Sequence, residues 1–161
     1  MNYLDIINED DEIIGREERN TVHEKHLLHR SIHIIVVNNK NQILLQLRKA
    51  SKKQYPLFWS GSTAGHIDSG ENVTKCAIRE IFEEIGLKTK LTFVDKFIIN
   101  DAVEHELVNV FFTRSDGPFK IDFGEVEKVE WFDIETLRKN NSMKMTPHCR
   151  KAIDLVIKKY F

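Results

Sequence analysis

Residues 32–37 form a short apolar run rich in β-branched side chains. The polar stretch Asn38-Asn39-Lys40-Asn41 interrupts it, and a second alternating run follows over 42–48. That pattern predicts strand, turn and strand, joined as a hairpin. Residues 50–70 contain Pro56, Gly61, Gly65 and Gly70 and are predicted to be mostly loop. Residues 72–85 have helical composition, with Gly86 at the position of a helix stop. Strands are predicted over 91–99 and 106–114, with a short one over 129–132. Helices are predicted over 133–139 and 146–159, the second with Pro147 just inside its start. Ile153, Leu155, Val156 and Ile157 supply the apolar contacts of that last helix. Strands with helices inserted and appended predict an α/β layered domain with a mixed sheet. No Gly-, Ser- or Pro-rich linker, repeat or low-complexity tract divides the chain, so residues 1–161 read as one domain.

The helix over 72–85 has an unusual distribution of charge. At about 100° per residue, Glu80, Glu83 and Glu84 are spaced i, i+3 and i+4 and share one face. Ile78, Ile81, Phe82 and Ile85 are expected on the opposite face, against a core. Val73, Cys76 and Ala77 lie near the acidic stripe and are small enough to leave room for a ligand. Two carboxylates at 5 Å repel by about 3 kcal/mol at an effective dielectric of 20. A divalent cation removes that penalty, and hard oxygen ligands suit Mg2+ or Mn2+. Glu71 joins only if the preceding loop folds back, and Arg79 can orient a carboxylate through a two-bond pair.

Composition narrows the partners. Lys and Arg number 24 and Asp and Glu 25, a formal net charge of −1. Such a balance argues against nucleic acid as the main partner and against an acidic disordered tail. Two cysteines, Cys76 and Cys149, are too few for a disulfide framework and lack metal-type spacing. The acidic start over 1–11 is unlike a secretory signal, and no apolar run has the length of a membrane span. A cytoplasmic, reduced protein is the expectation.

Residues 65–87 read GHIDSGENVTKCAIREIFEEIGL. The segment matches the Nudix box, GX5EX7REUXEEXGU with U a bulky apolar residue, at every fixed position. The matches are Gly65, Glu71, Arg79, Glu80, Ile81, Glu83, Glu84, Gly86 and Leu87. The chain therefore resembles the Nudix superfamily. The resemblance implies an α/β/α sandwich with a mixed sheet, in which the box forms a loop–helix–loop. It also implies hydrolysis of a nucleoside diphosphate linked to another moiety, with Mg2+ or Mn2+ held by Glu80, Glu83 and Glu84. Glu84 is the residue most expected to be essential, and Glu83 is taken with it as catalytic. Metals neutralise pyrophosphate oxygens and activate a water, while a further carboxylate serves as general base. Glu104, Glu106 and Glu125 are the candidates for that base.

A narrower resemblance covers residues 3–132. DIINEDDEIIG, HEKHLLHR, RKASKKQYPLFWSGSTAGH and the EHE at 104–106 are similar to segments of isopentenyl-diphosphate isomerases and their hydrolase-like relatives. This resemblance implies a second metal site made by His23, His29, His66, Glu104 and Glu106. Residues 104 and 106 are two apart, so a strand there points both to one face. Arg48 and Lys52, with Lys49 and Lys53 beside them, are implied as diphosphate holders. Phe58 and Trp59 either wall a pocket or belong to the core. His26, His33 and His105 are read as structural or solvent-facing. The isomerase pattern has a catalytic cysteine where this chain has Ala64, a residue with no proton to exchange. Neither Cys76, within the predicted helix, nor Cys149 takes that role readily. The reading that results is a metal-dependent pyrophosphohydrolase acting on a small diphosphate. An isomerase and a binding module without catalysis are the alternatives, and a homodimer is an assembly frequent among such proteins.

Overall fold

The computed structural model describes residues 2–161; Met1, the first residue of the acidic start, lies outside them. The strand β3 (His29–Val37) is the axis of the fold. Its apolar side chains alternate between two layers, as a strand's geometry dictates. Ile32, Ile34 and Val36 pack with α2 (Val73–Ile85), while Ile35 and Val37 pack with α3 (Ile134–Lys139) and α4 (Pro147–Tyr160). A strand covered on both sides needs apolar residues at successive positions, which explains the unbroken run at 34–37. The result is an α/β/α sandwich. Among the described residues no helix is long and apolar enough to cross a membrane.

β3 runs parallel to β8 (His105–Arg114) along its whole length, from His29 beside Glu106 to Val37 beside Arg114. β7 (Thr92–Asn100) extends the sheet antiparallel to β8. The hairpin expected of β3 and β4 (Gln42–Arg48) exists, but only Val37 and Ile43 pair across it. Beyond that point the strands part. Ser62 Oγ accepts from Val36 N at 2.8 Å and donates to Leu44 O at 2.5 Å, occupying the place of a ladder bond. β4 instead pairs with β9 (Val126–Asp133) and with β5 (Trp59–Ser60), and β3 pairs with β6 (Thr63–His66). The segment expected to be mostly loop thus contains two short strands. An N-terminal hairpin, β1 (Tyr3–Ile7) and β2 (Ile13–Glu18), joins β3 at His29 and leads into the short helix α1 (Arg19–Glu24).

α2 starts where Asn72 accepts a bond from Lys75 N and stops at Gly86, whose φ is +69°. A Cβ on Gly86 would lie 2.7 Å from Lys120 Cβ, so both backbone and space select glycine there. The expected facing of this helix needs correction. Cys76, Ala77, Ile81 and Ile85 are buried, but Ile78 and Phe82 are each 49% exposed. Glu80 and Glu84 lie beside the apolar stripe rather than opposite it. They share the inward arc of the helix, which turns Ile78 and Phe82 out. Ile81→Ala is expected to cost about 2–5 kcal/mol of stability, and Phe82→Ala about 0.5 kcal/mol or less. Urea unfolding of the two variants checks this.

Candidate metal centre and active-site cleft

A cleft of about 630 Å³ opens between β6, the inward face of α2, the start of β8 and the first turn of α4. Most of its lining is polar. Leu4, Ile32 and Ala64 are the aliphatic residues bordering it.

One wall is the box helix. Thr63 Oγ1 donates to Glu84 Oε1, and Ala64 N donates to the same oxygen at 3.2 Å. Burial pushes the Glu84 carboxyl up to about 7, and the Glu80 charge adds to that rise. Glu80 is also raised, first by burial. Its carboxylate lies against the backbone of Gly65, where a Cβ would come within 2.9 Å of Glu80 Cδ. The first glycine of the box is therefore the seat of Glu80. Glu71 does fold back. It receives Arg79 Nε at 2.8 Å and Nη2 at 2.9 Å, a two-bond pair that lowers its carboxyl. Arg79 Nη1 also reaches Glu80 at 2.9 Å and Glu83 at 3.1 Å. Arg79 thereby offsets the repulsion among these carboxylates, and Glu83 remains half-exposed at the cleft.

The second group lies at the other end of β6. One donor atom each from His23, His29, His66 and Glu104 lies within 4.8 Å of the others. His23 Nδ1 bonds Arg19 O at 2.9 Å, and His29 Nδ1 bonds Leu27 O at 2.9 Å. Since a carbonyl only accepts, both rings carry a proton on Nδ1 and turn Nε2 inward, the atom a cation would take. The Nε2 atoms of His23, His29 and His66 and Glu104 Oε2 are buried without a hydrogen-bond partner. Convergent, desolvated lone pairs of this kind fit a cation held by imidazole and carboxylate. Glu104 is delivered by the turn before β8, where Asp101 Oδ1 accepts from Val103 N at 2.8 Å and Glu104 N at 2.7 Å. Tyr55 donates to the other oxygen of Asp101.

Glu106 stands at the edge of the cluster. Its Oε1 is 3.3 Å from His66 Nε2 and 3.6 Å from His29 Nε2, while its Oε2 is 3.2 Å from His148 Nε2. Burial opposes its charge, yet His148, His29 and His66 hold its carboxyl well below the usual range. β6 joins the two groups in consecutive residues. Thr63 and Ala64 hold Glu84, Gly65 seats Glu80, and His66 belongs to the histidine cluster.

Arg48 and Lys52 both border the cleft, unlike Lys49 and Lys53. Arg48 Nε donates to Gln54 O at 3.0 Å, and Lys52 pairs with Glu125 at 3.1 Å on the rim. Phe58 and Trp59 do not line the cleft; the Trp59 ring meets Phe132 edge-on with centroids 5.0 Å apart, within the packing against α4. His26 and His105 stack on each other away from the cleft. His33 borders the cleft and is buried, parallel to the His148 ring with centroids 5.8 Å apart. His148 is the residue that sequence reasoning missed. A histidine in the first turn of a helix has no distinguishing local signal; it reaches Glu106 because Trp59 pairs with the chain just before α4.

The chain belongs to the NUDIX domain family, whose model matches residues 27–154. It is 34% identical over 139 residues to an isopentenyl-diphosphate Delta-isomerase of Burkholderia multivorans, spanning 83% of this chain and 79% of that protein. It is 29% identical over 155 residues to the Nudix hydrolase YfcD of Salmonella typhi, spanning 95% of this chain and 83% of that protein. The fold is similar to that of DR0079 from Deinococcus radiodurans, with a TM-score of 0.79 at 20% identity, over 94% of this chain and 97% of that one.

Proposed function

We propose that this protein is a hydrolase dependent on Mg2+ or Mn2+ that cleaves the pyrophosphate bond of a nucleoside diphosphate derivative or a similar small diphosphate. The observation that carries this reading is the complete carboxylate set of α2, with Glu84 enclosed, facing a cleft that Arg48 and Lys52 also border. Glu80, Glu83 and Glu84 are the oxygen ligands of the box site. His23, His29, His66 and Glu104 form the second site, with Glu106 at its edge. Bound Mg2+ or Mn2+ neutralises pyrophosphate oxygens and activates a water. Arg48 and Lys52 hold the diphosphate by charge, as a concentrated basic pair does. Glu106 is the favoured general base, because it borders the cleft at the edge of the second site, whereas Glu104 lies within that site and Glu125 pairs with Lys52 on the rim. Thr63 and Ala64 N fix the orientation of Glu84.

The second reading is isomerisation of a prenyl diphosphate, favoured by the names of several relatives. Two features weigh against it. Ala64 offers no exchangeable proton, and the cleft has few aliphatic residues against which a prenyl group would bury. A mass-spectrometric screen for the two phosphomonoester products of nucleoside diphosphate derivatives and other small diphosphates, with Mg2+ and Mn2+, tests the main reading. Turnover of at least one of them, lost on chelation, is expected. A screen in which none is cleaved overturns the proposal.

A further inference from the structure

Glu106 divides its two oxygens between different parts of the chain. Oε1 faces His29 and His66, at the edge of the metal-fitting cluster, and Oε2 faces His148 Nε2 at 3.2 Å. His148 lies outside the four-atom cluster, so its reach to that cluster passes through Glu106. Its Nε2 is buried and has no hydrogen-bond partner of good angle, a costly state unless a small rotation of Glu106 completes the bond. The ring itself is held firmly. His33 stacks on one side and Tyr55 meets it edge-on at 5.9 Å. Thr146 Oγ1 accepts from Cys149 N at 3.1 Å, and Pro147 begins the helix. Trp59 N donates to Lys144 O and Trp59 O accepts from Thr146 N, both at 2.9 Å, which ties this turn to β5.

We propose that His148 is the positioning residue of the metal centre. It holds Glu106 by its second oxygen, so the first turn of α4 becomes part of the centre and metal binding tightens the docking of that turn. This inference rests on the metal-site reading above. Partners of this kind, one shell out from the ion, typically alter metal affinity by about 10- to 100-fold when removed. Linkage requires the reciprocal effect on the segment that supplies the partner.

The test uses the full chain, stripped with a chelator and titrated with Mn2+. Nitrogen couplings in the electron spin echo report only ion bound to imidazole, which separates this centre from the box carboxylates. His148→Phe, which keeps ring packing but removes the donor, is expected to weaken imidazole-bound Mn2+ by at least about 10-fold. His148→Gln, which retains an N–H donor, is expected to restore most of the affinity. Hydrogen exchange over 144–150 is expected to slow on Mn2+ addition in the wild type and His148→Gln but not in His148→Phe. His148→Leu replaces His148→Phe if the latter fails to fold. Wild-type affinity and unchanged Mn2+-dependent protection in the Phe or Leu variant overturn the proposal. Absence of nitrogen-coupled Mn2+ in the wild type, or undiminished affinity for it in His23→Ala, overturns the metal-site reading itself.

Discussion

Glu84→Gln is expected to lower kcat by at least about 10²- to 10³-fold, the scale of removing one electrostatic stabiliser of a transition state. The fold is expected to survive and to gain stability. Glutamine has nearly the same shape and keeps an oxygen for Thr63 and Ala64 N. What it loses is the charge that burial opposes. Glu84 ionises near pH 7 in the folded protein, against 4.5 for an unperturbed glutamate. Below 4.5 both states are protonated and the group adds no bias. Between 4.5 and 7 the folded state binds the extra proton, so stability falls as pH rises. Above 7 the full penalty is present, about 3 kcal/mol without metal. At pH 8 the metal-free Glu84→Gln protein is therefore expected to melt higher than the wild type. Added Mg2+ or Mn2+ is expected to raise the wild-type melting temperature more than that of the variant. Thermal melts with and without metal check both, and a variant of lower stability with undiminished turnover contradicts them.

The second large effect concerns acid. His33 is buried against Gly61, where a Cβ would approach its ring to 2.9 Å, and beside Ser60. Burial, reinforced by His148, pulls its pKa down to about 3 from 6.5. Here the unfolded state binds the extra proton between pH 3 and 6.5. Stability supplied by the neutral ring is fully present above 6.5 and is lost as pH falls. Each pH unit in that window costs about 1.4 kcal/mol, so the loss by pH 4.5 is about 3 kcal/mol. Urea unfolding at pH 7.5, 5.5 and 4.5 is expected to show a steeper loss for the wild type than for His33→Gln, whose amide does not titrate. Parallel profiles would exclude a neutral buried His33.

The box was legible because its chemistry lies on one continuous stretch. Fixed spacing along residues 65–87 places Gly65 under Glu80 and the glutamates on one helix, without knowledge of the rest of the chain. The facing of that helix was not legible, since periodicity identifies a stripe but not which neighbouring arc turns inward. Ile78 and Phe82 were misread for that reason. The β3–β4 hairpin was legible as two runs and a turn, but its early parting depends on Ser62, inserted from a distant segment. β2 escaped notice because it lies at the sheet edge and exposes most of its side chains, leaving no alternation to read. The histidine cluster was suggested by resemblance alone. Its physical basis is tertiary, with donors from α1, β3, β6 and the turn before β8. His148 was illegible as a site residue because it acquires its role only when α4 packs on the β3 face.

Hydrolysis and isomerisation leave different isotopes in different products, so one reaction separates them. The protein is incubated with Mg2+ or Mn2+ in water enriched in both oxygen-18 and deuterium, together with nucleoside diphosphate derivatives and isopentenyl diphosphate. Mass spectrometry then reads every product. A hydrolase working on the α2 carboxylates leaves oxygen-18 on a released phosphate group, with the label lost in Glu84→Gln. Deuterium carried into dimethylallyl diphosphate, with no oxygen-18 on any phosphate, would contradict it.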